Sequence, residues 1–225
     1  MTDIAAQGAS HTTLTEMEIE HGLPPGWGEG LAGRLLFWTA VAFSVFQIAT
    51  SVYAILPTQV LRTVHVGFLV LVAGALVANH KMPAGILRWL GWAVAVVGFG
   101  VGLYHWVFYI DLVNRAGELT TPDLVIGITG LVILFSAAWM LMGAALPLIC
   151  LAFLAYALFG QYLPAPLDHR GYSVEQVVEQ MAFGTEGIYS TPTGVSATYI
   201  YLFILFGAFL ERAGMIQFFN DVALG

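Results

Sequence analysis

Cysteine occurs once in these 225 residues, at Cys150, so the chain forms no internal disulfide. The position lies in an apolar stretch, where a buried, inert thiol is the expectation. Charge is as scarce. Only 9% of residues are Asp, Glu, Lys or Arg, against roughly 25% in a soluble domain. Seven basic residues against 14 acidic ones give a net charge of −7, which leaves no basic surface for nucleic acid. No Lys or Arg precedes Arg34. The first thirty residues therefore fit neither a secretory signal, which needs a basic head, nor a transit peptide, which is poor in acids. With Glu16, Glu18, Glu20, Pro24 and Pro25 they read as a disordered cytoplasmic tail. The sequence holds no G-x-x-x-x-G-K-[ST] phosphate loop, no H-E-x-x-H and no His/Cys/Asp/Glu cluster at metal-ligand spacing. Neither ATP hydrolysis nor a metal site is expected, and no residue is assigned a catalytic role.

What the chain has is apolar length: 59% hydrophobic residues and a mean hydropathy of +0.83. Six runs stand out: Leu35–Leu56, Val64–Ala78, Trp89–Ile110, Leu124–Met142, Leu146–Phe159 and Val195–Leu210. A hydrocarbon core takes roughly 20 helical residues to span. The first, third and fourth runs suffice, and the others need their flanking glycines or polar residues. The runs lack the period-two alternation of a barrel strand. The expected fold is all-α, a polytopic integral membrane protein with about six transmembrane helices and one outer amphipathic helix.

The connections set a provisional orientation. Pro57 and Arg62 bracket a short turn between the first two helices. The next loop, Asn79 to Leu87, carries Lys81 with Arg88 at its edge, and basic loops favour the cytoplasm. That puts the N-terminus and Gly143 inside, and Asp111–Thr121 and Gln161–Gly194 outside. Within the outer loop, Ser173 and Gln176 make a capping box ahead of Val174, Val177, Val178, Met181 and Ala182 at helical spacing. An amphipathic helix against the membrane or the protein surface follows, with Glu175 and Glu179 on its solvated face and Gly184 ending it.

Several residues are candidates for structural or functional roles. Gly91, Ala95, Gly98 and Gly102 share a face of the third helix, and Gly98–Gly102 is a G-x-x-x-G match. Packing inside the subunit and a dimer seam are the two readings of that stripe. Asp123, behind Thr121 and Pro122, suits the positive end of the fourth helix as a cap. Glu211 and Arg212 close the sixth helix as a local snorkelling pair. His65 and His105 fall in membrane runs, where an ionisable group is a functional candidate by default. An interfacial hydrogen bond is the simpler account of each.

The stretches Ala157–Pro164 and Gly187–Gly194, and then Val195–Gly214 with its Val-Ser-Ala-Thr opening and Phe-Gly-Ala-Phe-Leu-Glu string, resemble the fused membrane subunit of TRAP transporters, its TAXI-associated branch above all. Arg115 to Gly117 followed by Thr121 to Asp123 is similar to the turn before that family's fourth helix. The stretch Ser136–Met140 departs from the pattern, because relatives carry an acid and paired arginines there. Relatives also continue for several hundred residues beyond the position of Gly225, so a fragment is the expectation. The resemblance implies an importer of the bacterial inner membrane. A periplasmic substrate-binding protein delivers a small solute, commonly an organic acid, and a cation gradient drives uptake. It implies no cofactor. Sodium is the usual coupling ion, and its site, like the substrate site, is expected in the remainder of the large transport unit. The chain then divides into the tail (1–30), a four-helix scaffold (31–142), a linking helix (143–160), a periplasmic loop (161–194) and the first helix of the transport unit (195–225). A non-transporting membrane scaffold or assembly protein is the rival reading. An intramembrane enzyme using His65 or His105 is the third.

Overall fold

The computed structural model describes residues 30–53, 55–83 and 85–224; the expected polar tail lies, up to residue 29, outside the described residues. Six helices are long and apolar enough to cross a membrane, and no strand occurs among the described residues. The chain is an all-α polytopic membrane protein. The spanning helices are α1 (Gly30–Tyr53), α2 (Thr58–Lys81), α3 (Ile86–Val107), α5 (Thr121–Met142), α6 (Ala145–Phe159) and α8 (Thr191–Arg212). Short helices α4 (Tyr109–Asn114) and α7 (Val174–Val178) lie in the connections, and α9 (Met215–Leu224) follows α8. Helices α2, α6 and α8 do extend past their apolar runs. A turn of 3₁₀ helix, Gly160–Tyr162, carries α6 on to the length of a span.

Two compact units make up the chain, residues 1–41 and 42–225. In the first, described from Gly30, Arg34 donates to the Gly30 carbonyl and Thr39 to the Leu35 carbonyl, so polar groups bond back onto their own helix. The second unit holds everything else.

Its centre is the α2–α3 hairpin. Small residues meet along its length: Gly67 faces Gly102, Gly74 faces Ala95 and Ala78 faces Gly91. With no hydrophobic effect between helices in lipid, close backbone approach supplies the attraction. A β-carbon at Gly102 would lie 2.7 Å from the Thr63 carbonyl oxygen, and one at Gly98 would run into Val70, with Ile133 of α5 3.2 Å away. Gly98 and Gly102 are both buried. An aromatic ladder flanks this seam: Phe43 stacks on Phe68 with ring centroids 5.0 Å apart, and Phe68 meets Phe99 at 4.7 Å. At the far end of the hairpin, Lys81 donates to the Met140 carbonyl near the end of α5.

The amphipathic helix expected from Ser173 begins with its capping box but runs only five residues in α form. It then widens into a π-type turn, Glu179–Phe183, closed by the Gly184 amide on the Glu179 carbonyl at 2.7 Å. Its apolar face packs on protein, because a β-carbon at Gly127 of α5 would meet Val178 at 2.6 Å and Phe183 at 2.8 Å. Glu179 is not simply solvated: its carboxylate accepts from the Gly117 amide. Cys150 is exposed, contrary to expectation, because α6 packs on few neighbours and leaves most of its apolar surface outward.

Replacing Gly102 by Ala or Leu forces apart two backbones in contact, at a cost of about 1–3 kcal/mol or more. Thermal unfolding in detergent is expected to fall clearly for Gly102→Leu and little for Val96→Leu, since Val96 is exposed. Equal losses would place the α2–α3 contact elsewhere.

Candidate functional site

Between α6 and α8 the chain runs for some thirty residues in mostly irregular form, and its carbonyls lack the regular partners that a helix provides. An unpaired buried carbonyl costs about 1–3 kcal/mol, and such backbone is tolerated at membrane depth only where protein satisfies it. In this protein the helices satisfy it with side chains. Gln59 of α2 donates to the Phe183 carbonyl at 3.3 Å, and Arg62, one turn on, donates to the Tyr189 carbonyl at 3.0 Å. The His105 Nε2 of α3 lies 2.8 Å from the Ala182 carbonyl oxygen. Gln47 of α1, fully buried, donates to the Ala197 carbonyl.

The last contact has a local cause. Residues Ser196–Ile200 form a second π-type turn inside α8, so the Tyr201 amide reaches back to Ser196. A regular α-turn would have sent that amide to the Ala197 carbonyl, which accepts from Gln47. Beside it, His65 Nε2 lies 3.2 Å from the Ser196 hydroxyl, and Ser44 and Tyr201 share a hydroxyl–hydroxyl bond at 3.0 Å. Gly194 makes the Arg62 contact possible: a β-carbon there would lie 2.8 Å from the guanidinium Nε.

The first part of the connection is pinned separately. The Tyr156 hydroxyl donates to the Leu167 carbonyl at 2.9 Å, the Tyr172 amide to the Ala157 carbonyl at 3.0 Å, and His169 Nε2 to the Tyr156 carbonyl at 2.9 Å.

Asp123 does more than cap. It is fully buried, and its Oδ2 accepts from the Thr120 amide at 2.9 Å and the Thr120 hydroxyl at 2.5 Å. Its Oδ1 accepts from Tyr104 at 2.6 Å and from Arg115 at 2.8 Å. A buried carboxylate is stable when its lone pairs are taken in this way. The Arg115–Asp123 pair is the ion pair found among the described residues. Glu211 and Arg212, both exposed, form no such pair. Next to Tyr104, the His105 ring stacks on Phe183 at 4.9 Å and meets Tyr189 edge-on at 5.1 Å. Burial pushes the Tyr189 phenol well above its ordinary pKa.

The structure therefore brings His65, His105, Arg115 and Asp123 to one end of the second unit, around residues 179–197. Gly98 and Gly102 lie in the helix seam below them, and Glu211 and Arg212 at the opposite end of α8. Gln47, Gln59, Arg62, Tyr104 and His169 also serve this end and were not singled out from sequence. For Gln47 the available signal was Ser44, Gln47 and Thr50, three apart in a mainly apolar run. Chemically the arrangement holds backbone in place, and it sets the Ser196 hydroxyl beside the His65 ring at 3.2 Å. Among the described residues, no three His, Cys, Asp or Glu side chains come together as a metal site would require. Alongside lies an open, mainly apolar cleft of about 1040 Å³ between α5, α6 and residues 172–188, with Cys150 on its wall.

Asp123→Ala removes the acceptor of four bonds and strands Arg115. A loss of about 1–3 kcal/mol is expected, as for lost hydrogen bonds to a buried charge whose partner stays partly exposed, read as a fall in unfolding temperature in detergent. Glu118→Ala, at an exposed acid in the connection before α5, serves as the control and is expected to change little. Similar, small effects of both would show that Asp123 is not the anchor of this end.

Residues 129–225 match the family model of the tripartite ATP-independent periplasmic transporter, DctM component. No curated protein and no solved structure matches the chain. The matched residues run from within α5 through the side-chain-held connection to α9, so they take in the acceptor carbonyls of Ala182, Phe183, Tyr189 and Ala197. This part of the chain is similar to the membrane component of such transporters.

Proposed function

We propose that this chain is a membrane permease component of a TRAP-type secondary importer, of the fused kind associated with TAXI binding proteins. It takes up a small, organic-acid-like solute delivered by a periplasmic substrate-binding protein, and a cation gradient drives the uptake. The observation that carries the reading is the DctM match over residues 129–225. Six helices of spanning length support it. Within that assembly, residues 31–142 act as scaffold, the 161–194 connection is the periplasmic docking surface, and residues from 195 onward begin the transport unit. Solute and coupling ion bind in the remainder of that unit, and the membrane is the bacterial inner membrane.

One observation favours the second reading, a membrane scaffold or assembly protein that moves nothing. Three of the buried polar side chains described above, Gln47, His105 and Asp123, hold backbone or fix one another, while Gln47 Oε1 and His65 Nδ1 are left without a partner. A carrier site needs polar groups free for its cargo, commonly on interrupted helices near the midplane.

Reconstitution separates the two. In vesicles with an inward sodium gradient and the cognate binding protein, labelled organic acid is expected to accumulate when the large transport unit accompanies residues 1–225. Residues 1–225 alone are expected to accumulate none. Accumulation by these residues alone would contradict the scaffold role given to them. Absence of gradient-dependent accumulation by the whole assembly, across a panel of organic acids, would favour the second reading.

A further inference from the structure

His105 has a hydrogen-bonding problem that only one protonation state solves. Its Nδ1 lies 2.9 Å from the Val101 carbonyl oxygen, and its Nε2 lies 2.8 Å from the Ala182 carbonyl oxygen. A carbonyl oxygen accepts and never donates. A neutral imidazole carries a single N–H, so its other nitrogen would turn a lone pair toward an oxygen lone pair at under 3 Å. The imidazolium has two N–H groups and satisfies both carbonyls.

Two other described histidines, His169 and His65, behave differently. At His169, Nδ1 accepts from the Gly171 amide at 3.0 Å while Nε2 donates to the Tyr156 carbonyl, which fits a neutral ring in one tautomer. At His65, Nε2 meets a hydroxyl that can donate or accept, and Nδ1 has no partner, so no second proton is called for.

The surroundings of His105 weigh both ways. Burial opposes the charge. At the same end lies the Asp123 carboxylate of α5, a negative charge that Arg115 and the Tyr104 hydroxyl, on the neighbouring residue, already bond. From the connection come the Tyr189 phenol, with its ring 5.1 Å away, and Glu179 at the head of the π-type turn, which is held by the Gly117 amide. From α2 comes Arg62, whose guanidinium is on the Tyr189 carbonyl and opposes a second cation.

We propose that His105 is a proton-binding site, and that the proton it holds latches the Glu179–Phe183 turn onto α3 through the Ala182 carbonyl. Loss of the proton leaves one of the two bonds unmade. The intrahelical bond to Val101 is the one retained, since it needs no docked partner, and the turn is released. The inference stands apart from the permease reading, because it concerns only how this end of the protein holds its own backbone.

Two measurements on the wild-type protein in detergent test it. Ring-nitrogen NMR of histidine-labelled protein is expected to show His105 as imidazolium at the acid end of the pH range over which the protein is folded and as a neutral ring at the alkaline end. Hydrogen exchange, corrected for intrinsic rates, is expected to show amides 181–189 losing about tenfold or more of their protection over the same interval, as for one charge-assisted bond. In His105→Gln that pH response should vanish while Asp123-dependent stability remains. Should that variant not fold, the wild-type ring signal is assigned through its coupling to the Ala182 carbonyl carbon. A neutral His105 ring at every pH where the protein is folded would overturn the proposal. So would a ring that loses its proton with no change in protection of 181–189.

Discussion

Side chains that donate to backbone carbonyls hold the far end of this protein together. A helix or a barrel strand pairs its own backbone in lipid, and irregular chain cannot. Residues 179–197 are irregular or wide-turned over most of their length, and they are pressed onto helices. Gln59, Arg62, His105 and Gln47 each give a donor to this stretch, at Phe183, Tyr189, Ala182 and Ala197. Removing any one donor leaves a carbonyl facing apolar surroundings. The placement of α7 on Gly127, the start of α8 beside Arg62 and the aromatic packing on His105 all presuppose those bonds.

Two features of the helices make the arrangement possible. The α2–α3 seam is built of glycine and alanine, so the backbones are close enough for donors from both helices to converge on one short stretch. Asp123 fixes the turn before α5 by binding Thr120, Arg115 and Tyr104 together, and Tyr104 immediately precedes His105. The anchor of one turn thus also orients the helix that presents the histidine. Among the described residues, the one carboxylate buried in this way sits where irregular chain meets the helices, which is where fixed charge has most to organise.

Much of this was legible in the sequence. Apolar run length gave six spanning helices, and Ser173 with Gln176 marked the start of α7 because a capping box is a local device. The glycine stripe could be read as a close-packing face, but its partner on α2 could not, since that depends on which helix lies opposite. The residues missed were three of the four donors, Gln47, Gln59 and Arg62. Arg62 read only as the far bracket of the first turn, and Gln59 lies within that turn. Their role is set by carbonyls more than a hundred residues later, and no local pattern encodes that separation. His65 and His105 were picked out as ionisable groups in membrane runs, yet their partners, Ser196 and Ala182, follow only from tertiary contact. Cys150 was misplaced for the converse reason: an apolar neighbourhood in sequence says that a helix is in lipid, not that it is covered by protein.

The central claim is that residues 179–189 are docked on the helices rather than lying free at the membrane surface. Single cysteines at Ala182 and Tyr172, in a Cys150→Ser background, test it through their rates of reaction with a water-soluble thiol reagent in the folded protein. Ala182 is 3% exposed and Tyr172 is 53% exposed. The account predicts labelling of Ala182→Cys about a hundredfold or more slower than Tyr172→Cys, as for a site that reacts only on local opening, with the two equal after unfolding. Comparable rates in the folded protein would contradict it.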